Sequence, residues 1–101
     1  LINRTQLNSI ISELCSELST VFPQDKIEAI LFGSYARGDM TEKSDIDLLV
    51  DSGLKGLAFY GLLEDIVEAL GKDVDLLDTT QIIPNSEVDN EISKTGVLIY
   101  G

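Results

Sequence analysis

Apolar residues recur every three or four positions in two long stretches of the chain, which is the spacing of one face of an α-helix. The first stretch predicts a helix from Thr5 to about Phe22, which ends at Pro23. The second predicts a helix from about Gly56 to Leu70, with Gly71 as its C-terminal cap. Each helix therefore has one face that can cover a hydrophobic core.

Four short apolar runs, bounded by glycine or polar residues, are typical of buried strands. They are Ile27 to Phe32, Asp45 to Val50, Val74 to Leu77 and Val97 to Tyr100. A helical start is predicted at Ser34, one helical turn at Thr79 to Ile83, and a further helix from Ser86 to about Lys94, where Ser86 and Asp89 resemble an acidic capping box. This order predicts a single domain over residues 1–101 of the α/β (α+β) class, with a small mixed sheet of about four strands packed by helices.

The size and composition of the chain indicate a cytoplasmic globular protein. Apolar residues make up 44% of the 101 residues and charged residues 25%, and no run approaches the roughly 18 apolar residues of a membrane span. No signal peptide is recognisable. The single cysteine, Cys15, lies on an apolar helical face and is expected to be a buried packing thiol.

The charge of the chain narrows the classes of function. Seven basic and 18 acidic residues give a net charge of -11, which repels a polyanion and disfavours binding to polynucleotides. The acidic surface suits either simple solubility or a basic protein partner. Because the chain has no histidine, a histidine general base and histidine-type zinc sites are excluded. Carboxylates remain as metal ligands, and all-oxygen sites favour magnesium, manganese or calcium.

Asp45 and Asp47 form the first candidate site. Side chains alternate along a strand, so the two carboxylates project to the same side, about 6.5 to 7 Å apart at their Cα atoms, and can converge on one cation. The alternative is that Asp45 caps the strand and Asp47 lies at a solvated edge. The neighbouring residues 46 and 48–50 are apolar on both faces, which describes a central strand and favours the metal site.

Gly33 and Ser34 form the second candidate site, directly after a predicted buried strand. Glycine lets the backbone approach a ligand closely, and the start of the following helix presents free N–H groups to a phosphate. Taken alone, the pair could equally be an ordinary turn with a serine N-cap. A phosphate cradle followed at this spacing by a carboxylate pair nevertheless favours nucleotidyl transfer.

In these two motifs the sequence resembles a known family, the nucleotidyltransferase domains similar to DNA polymerase beta. The matching motifs are Gly-Ser-x-x-x-Gly at 33–38 and Ser-Asp-Ile-Asp-Leu-Leu-Val at 44–50. Within that family the chain is most similar to the minimal nucleotidyltransferases, small prokaryotic antitoxins that act beside HEPN-domain toxins. The resemblance covers essentially the whole chain.

The resemblance implies a third carboxylate on a later strand, and the matching position is Asp75. Asp73 has the same strand parity and Asp78 lies just beyond, but both are expected to be solvated at strand ends. The family mechanism then implies that Asp45, Asp47 and Asp75 bind two magnesium ions and that Asp75 receives a proton from the acceptor. The implied donor is ATP, with its terminal phosphates held by Ser34 and by the amide of Gly33 or its neighbours.

Arg37 stands beside the phosphate cradle and is one of only two arginines. A phosphate contact and a surface ion pair with Asp39 or Glu42 are both open for it.

The resemblance also implies a protein as the acceptor of the nucleotide. Relatives that modify antibiotics or RNA have an additional acceptor-binding domain, which is not recognisable here. The implied partner is a HEPN toxin whose tyrosine hydroxyl receives AMP, and the acidic surface would attract a basic toxin. The alternatives are an antitoxin that neutralises its partner by complex formation without catalysis, and nucleotidyl transfer to a small molecule or a nucleic acid.

Overall fold

A four-stranded mixed sheet organises the chain in the computed structural model, which describes residues 2–101. The strands are β1 (Glu28–Phe32), β2 (Ile46–Asp51), β3 (Val74–Asp78) and β4 (Val97–Tyr100), and the helices are α1 (Arg4–Val21), α2 (Ser34–Arg37), α3 (Leu57–Leu70) and α4 (Glu87–Thr95). The strand order is β3-β2-β1-β4, in which β2 and β3 run parallel and the other neighbours antiparallel. The predicted fold class is confirmed.

One face of the sheet and one face each of α1 and α3 form the hydrophobic core. Residues from both helices and from alternate positions of β1 and β2 make up this cluster, including Leu7, Ile11, Cys15, Ala29, Leu31, Ile46, Leu48, Val50, Leu62 and Ile66. The strand residues between these positions point to the opposite face, as the pleat requires. Both inner strands are therefore fixed in register by their buried face, and Asp47 is held on the other side of the sheet.

The amphipathic helices predicted from the sequence are confirmed. An Asn3–Gln6 capping box begins α1, and Gly71 ends α3 in the left-handed conformation. Cys15 is buried, and burial raises the pKa of its thiol to about 11, as expected of a packing group. Among residues 2–101, none of the helices combines the length and the apolar character needed to cross a membrane.

The structure differs from the predicted elements only at their ends. Phe22 is the C-terminal cap of α1 rather than its last helical residue. Thr79–Gln81 forms a 3-10 turn that stops two residues earlier than predicted. Asp89 does not complete a capping box on α4: its amide donates to the Ser86 hydroxyl at 3.2 Å, but the amide of Ser86 donates to the carbonyl of Ile83 at 3.1 Å instead.

Tyr35 anchors the short helix α2 to the core. Its side chain is completely buried, and within residues 2–101 its hydroxyl has no hydrogen-bond partner. The ring, rather than the hydroxyl, therefore supplies the stabilisation. Because α2 begins at Ser34, directly after Gly33, this anchor also holds the turn that contains both residues.

We expect Tyr35→Phe to be at least as stable as the wild type, because the substitution removes an unpaired buried hydroxyl and keeps the ring. Tyr35→Ala should lower the free energy of unfolding by about 3–5 kcal/mol, because it leaves a large cavity. Urea unfolding of both variants measures the difference. A loss of more than about 1 kcal/mol in Tyr35→Phe would instead show that the hydroxyl has a stabilising partner.

Candidate active site

The candidate site lies at the end of the sheet where β1 finishes and β2 starts. The two strands are antiparallel and pair Phe32 with Asp47, so Gly33, the next residue after Phe32, emerges beside Asp47. The parallel pairing of β2 with β3 puts Asp75 directly across from Asp47. Three predicted site residues thus lie at neighbouring strands, with Gly33 directly after β1, Asp47 on β2 and Asp75 on β3.

The approach of Asp47 to Gly33 is close enough to exclude any side chain at position 33. A Cβ atom added to Gly33 would collide with Oδ2 of Asp47 and lie 3.3 Å from its carboxyl carbon. The backbone of Gly33 has φ 74° and ψ -152°, a conformation essentially restricted to glycine. Glycine was predicted here for the approach of a ligand, and the structure adds a carboxylate that needs the same space.

The turn after Gly33 presents backbone donors. The carbonyl of Gly33 accepts from the amides of Ala36 and Arg37 at 3.1 and 3.0 Å, which closes the first turn of α2. The amides of Ser34 and Tyr35, at the start of that turn, have no acceptor within residues 2–101. These two amides, and the Ser34 hydroxyl, can bind an anion.

The amide of Gly33 itself is already engaged. It donates to the hydroxyl of Thr95 at 3.0 Å, so it is not a free phosphate donor. Of the two alternatives for the phosphate donor, the amide of Gly33 or the amides of its neighbours, this bond favours the neighbours.

Burial and neighbouring negative charges raise the pKa of the Asp47 carboxyl to about 6. Burial is the largest cause, and the negative charges of Asp75, Asp45 and Glu91 add to it, while Arg37 acts in the opposite direction. Asp47 is half-buried, whereas Asp45 and Asp75 are exposed. The carboxylates of Asp45 and Asp75 are near enough for their charges to act on Asp47.

The same three acids are suitable ligands for a divalent cation. Carboxylate oxygens are the donors that Mg²⁺ prefers, and a cation among them would relieve the repulsion on Asp47. Within residues 2–101, however, no three acidic side chains already stand in ligand positions. The donor set therefore fits magnesium by its chemistry, and the final convergence of the ligands would accompany binding.

The register of β3 separates the three acids of that segment. Asp75 pairs with Asp47, whereas Asp78 pairs with Val50 at the far end of the sheet. Asp73 precedes β3, where its backbone carbonyl accepts from the amide of Ile46 at 3.2 Å. Of the three, Asp75 is the one that lies beside Asp47 on the paired strands.

Arg37 forms ion pairs at the rim of the site. Its Nε donates to Asp39 at 3.1 Å, and its Nη1 bonds to the carboxylate of Glu91 on α4. The predicted surface ion pair with Asp39 is confirmed, whereas Glu42 is not a partner. The side chain of Arg37 keeps 41% of its surface exposed, so further donors face solvent.

An open cleft of about 400 Å³ adjoins these groups. It is lined by Phe32, Arg37, Asp47, Glu87, Val88 and Glu91. Half of these residues come from α4, and Thr95 of the same helix bonds to Gly33. The sequence analysis missed this contribution, because α4 meets the site only through tertiary contacts 54 and 62 residues away along the chain.

Solved structures with a similar fold include two toxin–antitoxin complexes. One of them contains AMP-PNP and is 29% identical, with a TM-score of 0.65, covering 89% of this chain and 73% of that chain. The other is a tri-AMPylated HEPN toxin from Shewanella oneidensis with its MNT antitoxin; it is 26% identical, with a TM-score of 0.61, covering 94% of this chain and 72% of that chain.

Several relatives that match the chain in sequence are named protein adenylyltransferases. The protein adenylyltransferase MntA of Thermococcus cleftensis is 36% identical over 92 residues, which are 89% of this chain and 85% of that protein. Three proteins of Methanocaldococcus jannaschii, provisionally named protein adenylyltransferases, are 52%, 44% and 44% identical over shorter stretches. The chain spans only 30%, 62% and 46% of the length of these three relatives.

The sequence profile of the nucleotidyltransferase domain family matches residues 7–99. This span includes the Gly33 turn and all three candidate acids, so the family resemblance of the two motifs is confirmed. A match over nearly the whole chain, together with the alignment to MntA over most of both lengths, shows that the chain belongs to the nucleotidyltransferase domain family.

Proposed function

We propose that this domain is a magnesium-dependent adenylyltransferase that transfers AMP from ATP to a hydroxyl group of a partner HEPN toxin. The contact between Asp47 and Gly33 supports this most directly, because it joins a metal-binding carboxylate to a turn that can hold phosphates. The naming of MntA as a protein adenylyltransferase, and the similar complexes with AMP-PNP and with an AMPylated toxin, support the donor and the acceptor.

The three acids divide the work of metal binding and proton transfer. Bound magnesium ions would stabilise the charge that develops on the phosphates and favour ionisation of the acceptor hydroxyl. Asp45 and Asp47 would hold the metal from one face of the strand. Asp75 would complete the ligand set and accept the acceptor proton, as the acceptor oxygen bonds to the α-phosphorus and the bond to the β-phosphate breaks, which releases pyrophosphate.

The turn and Arg37 hold the triphosphate. Ser34 contributes its hydroxyl and amide, and Tyr35 its amide, to the terminal phosphates. Arg37 has five N–H donors, of which Asp39 and Glu91 engage two, so phosphate contact and ion pairing are compatible. The positive charge of Arg37 also offsets part of the acidic surroundings of Asp47.

The acceptor side of the reaction comes from the partner. The net charge of -11 attracts a basic protein and repels nucleic acid, which favours a toxin over RNA as the acceptor. A tyrosine hydroxyl is the acceptor that we propose on the toxin. It would enter through the cleft beside Asp47, with the side chain of Val88 on one wall.

The transfer reaction can be tested with labelled ATP, Mg²⁺ and a HEPN toxin as the acceptor. We expect the label on a tyrosine of the toxin, and a loss of at least about 100-fold in Asp47→Ala, because a metal contributes several kcal/mol to the transition state. Asp51→Ala is the matched control, since Asp51 lies on the same strand and face but at the far end. Equal labelling by both variants would contradict the proposed site.

The repulsion around Asp47 predicts that its charge destabilises the metal-free protein. Because the folded pKa is raised to about 6 from 3.8, the destabilisation is absent below about pH 4 and complete above about pH 6. After allowance for solvent screening, the charge of Asp47 is expected to lower the free energy of unfolding by about 1 kcal/mol. With EDTA at pH 7.5, Asp47→Asn should therefore raise the Tm by about 4–8 °C.

At pH 4 this gain should disappear, and Mg²⁺ at pH 7.5 should raise the Tm of the wild type but not that of Asp47→Asn. Thermal unfolding followed by circular dichroism measures all of these conditions. A Tm gain that is the same at both pH values would mean that the charge of Asp47 is not its source.

A second candidate function is neutralisation by a stable complex, which the similar toxin–antitoxin complexes support. We expect the domain to copurify with the toxin at micromolar concentrations, and Asp47→Ala to form the same complex but lose most of its protection of growing cells. Full protection by Asp47→Ala, with no label on the toxin, would make masking the principal mechanism. Absence of any complex would eliminate masking.

A further inference from the structure

The hydroxyl of Thr95, the last residue of α4, makes two hydrogen bonds. The hydroxyl donates to the carbonyl of Glu91 at 2.8 Å and accepts from the amide of Gly33 at 3.0 Å. Because the bond to Glu91 fixes the hydroxyl proton, a lone pair of the oxygen is directed at Gly33. The hydroxyl is thus an oriented acceptor for the amide that begins the phosphate-binding turn.

This bond continues the sheet beyond its last backbone pair. β1 and β4 pair Leu31 with Val97, and in the same antiparallel register Gly33 lies opposite Thr95. β4 begins only at Val97, so the side chain of Thr95, rather than a backbone carbonyl of the strand, is the acceptor at this position. The amide of Gly33 is buried with its residue, and an unpaired buried amide is strongly unfavourable.

Helix α4 is held at the site by a hydrogen bond and an ion pair rather than by a buried apolar face. None of its residues is fully buried. Glu91 joins both links, because its carbonyl accepts from Thr95 and its carboxylate pairs with Arg37. These hydrogen bonds and the ion pair therefore couple the position of α4 to the conformation of the Gly33 turn.

We propose that Thr95 is a positioning residue for the phosphate-binding turn, an inference that rests on the proposed function for the identity of the ligand. By holding the Gly33 amide, Thr95 fixes the glycine in its positive-φ conformation and leaves the amides of Ser34 and Tyr35 free for the nucleotide. Thr95 does not itself touch the nucleotide. Its loss should weaken nucleotide binding more than it slows the transfer step.

Three variants separate the hydroxyl from the shape of the side chain. Thr95→Val keeps the shape and removes the hydroxyl, whereas Thr95→Ser keeps the hydroxyl. Thr20→Val is the matched control, because the Thr20 hydroxyl also donates to the carbonyl four residues earlier, Ser16 at 3.1 Å, but on the exposed side of α1.

In steady-state transfer to the toxin, Thr95→Val should raise the KM for ATP about tenfold and change kcat by less than about threefold. Thr95→Ser and Thr20→Val should resemble the wild type. Hydrogen exchange followed by NMR should show a slowly exchanging Gly33 amide in the wild type and in Thr95→Ser, and a faster one in Thr95→Val.

The inference is overturned if Thr95→Val keeps the wild-type KM and slow exchange at Gly33, or if Thr95→Ser is as impaired as Thr95→Val. Titration with AMP-PNP and Mg²⁺ separates it from the proposed function. If the wild type binds AMP-PNP but labels no toxin, the proposed transfer fails. Weaker AMP-PNP binding and faster Gly33 exchange in Thr95→Val would then still support the role of Thr95.

Discussion

The contact between the carboxylate of Asp47 and the backbone of Gly33 is the constraint on which the site depends. It requires a residue without a side chain at position 33 and a backbone conformation that other residues avoid. It also requires β1 and β2 to pair in one register. If β2 slipped by one residue, the side chain of Asp47 would point into the hydrophobic core. The buried face of both strands, filled by α1 and α3, enforces that register.

The same contact places the carboxylate of Asp47 in a partly buried position close to other acids, where a negative charge is unfavourable. Burial and neighbouring acids raise the pKa of Asp47, and a single arginine offsets only part of the repulsion. An arrangement that is unfavourable without a counter-charge is typical of functional sites, where a ligand supplies what the protein lacks. Under the proposed function, the acids would lower the stability of the free domain and raise its affinity for a cation.

The turn between β1 and α2 is stabilised from two sides by different interactions. On the core side the buried ring of Tyr35 holds α2. On the other side Thr95 and Glu91 connect the turn to α4, which has little apolar contact of its own. The buried ring and the polar attachment to α4 together give the Gly33 turn one defined conformation, while the amides of Ser34 and Tyr35 remain without an acceptor within residues 2–101.

The sequence by itself determined the elements, the sheet of about four strands and the chemistry of the site, because these depend on local patterns. Helical periodicity, glycine at turns and the Asp-x-Asp pair on an apolar strand are all visible within a few residues. Even so, the choice of Asp75 over Asp73 and Asp78 rested on family resemblance, and the parallel register of β2 and β3 now gives it a geometric basis. Only the tertiary structure decided that Thr95 and Glu91 belong to the site, since nothing near them in the chain encodes partners more than fifty residues away.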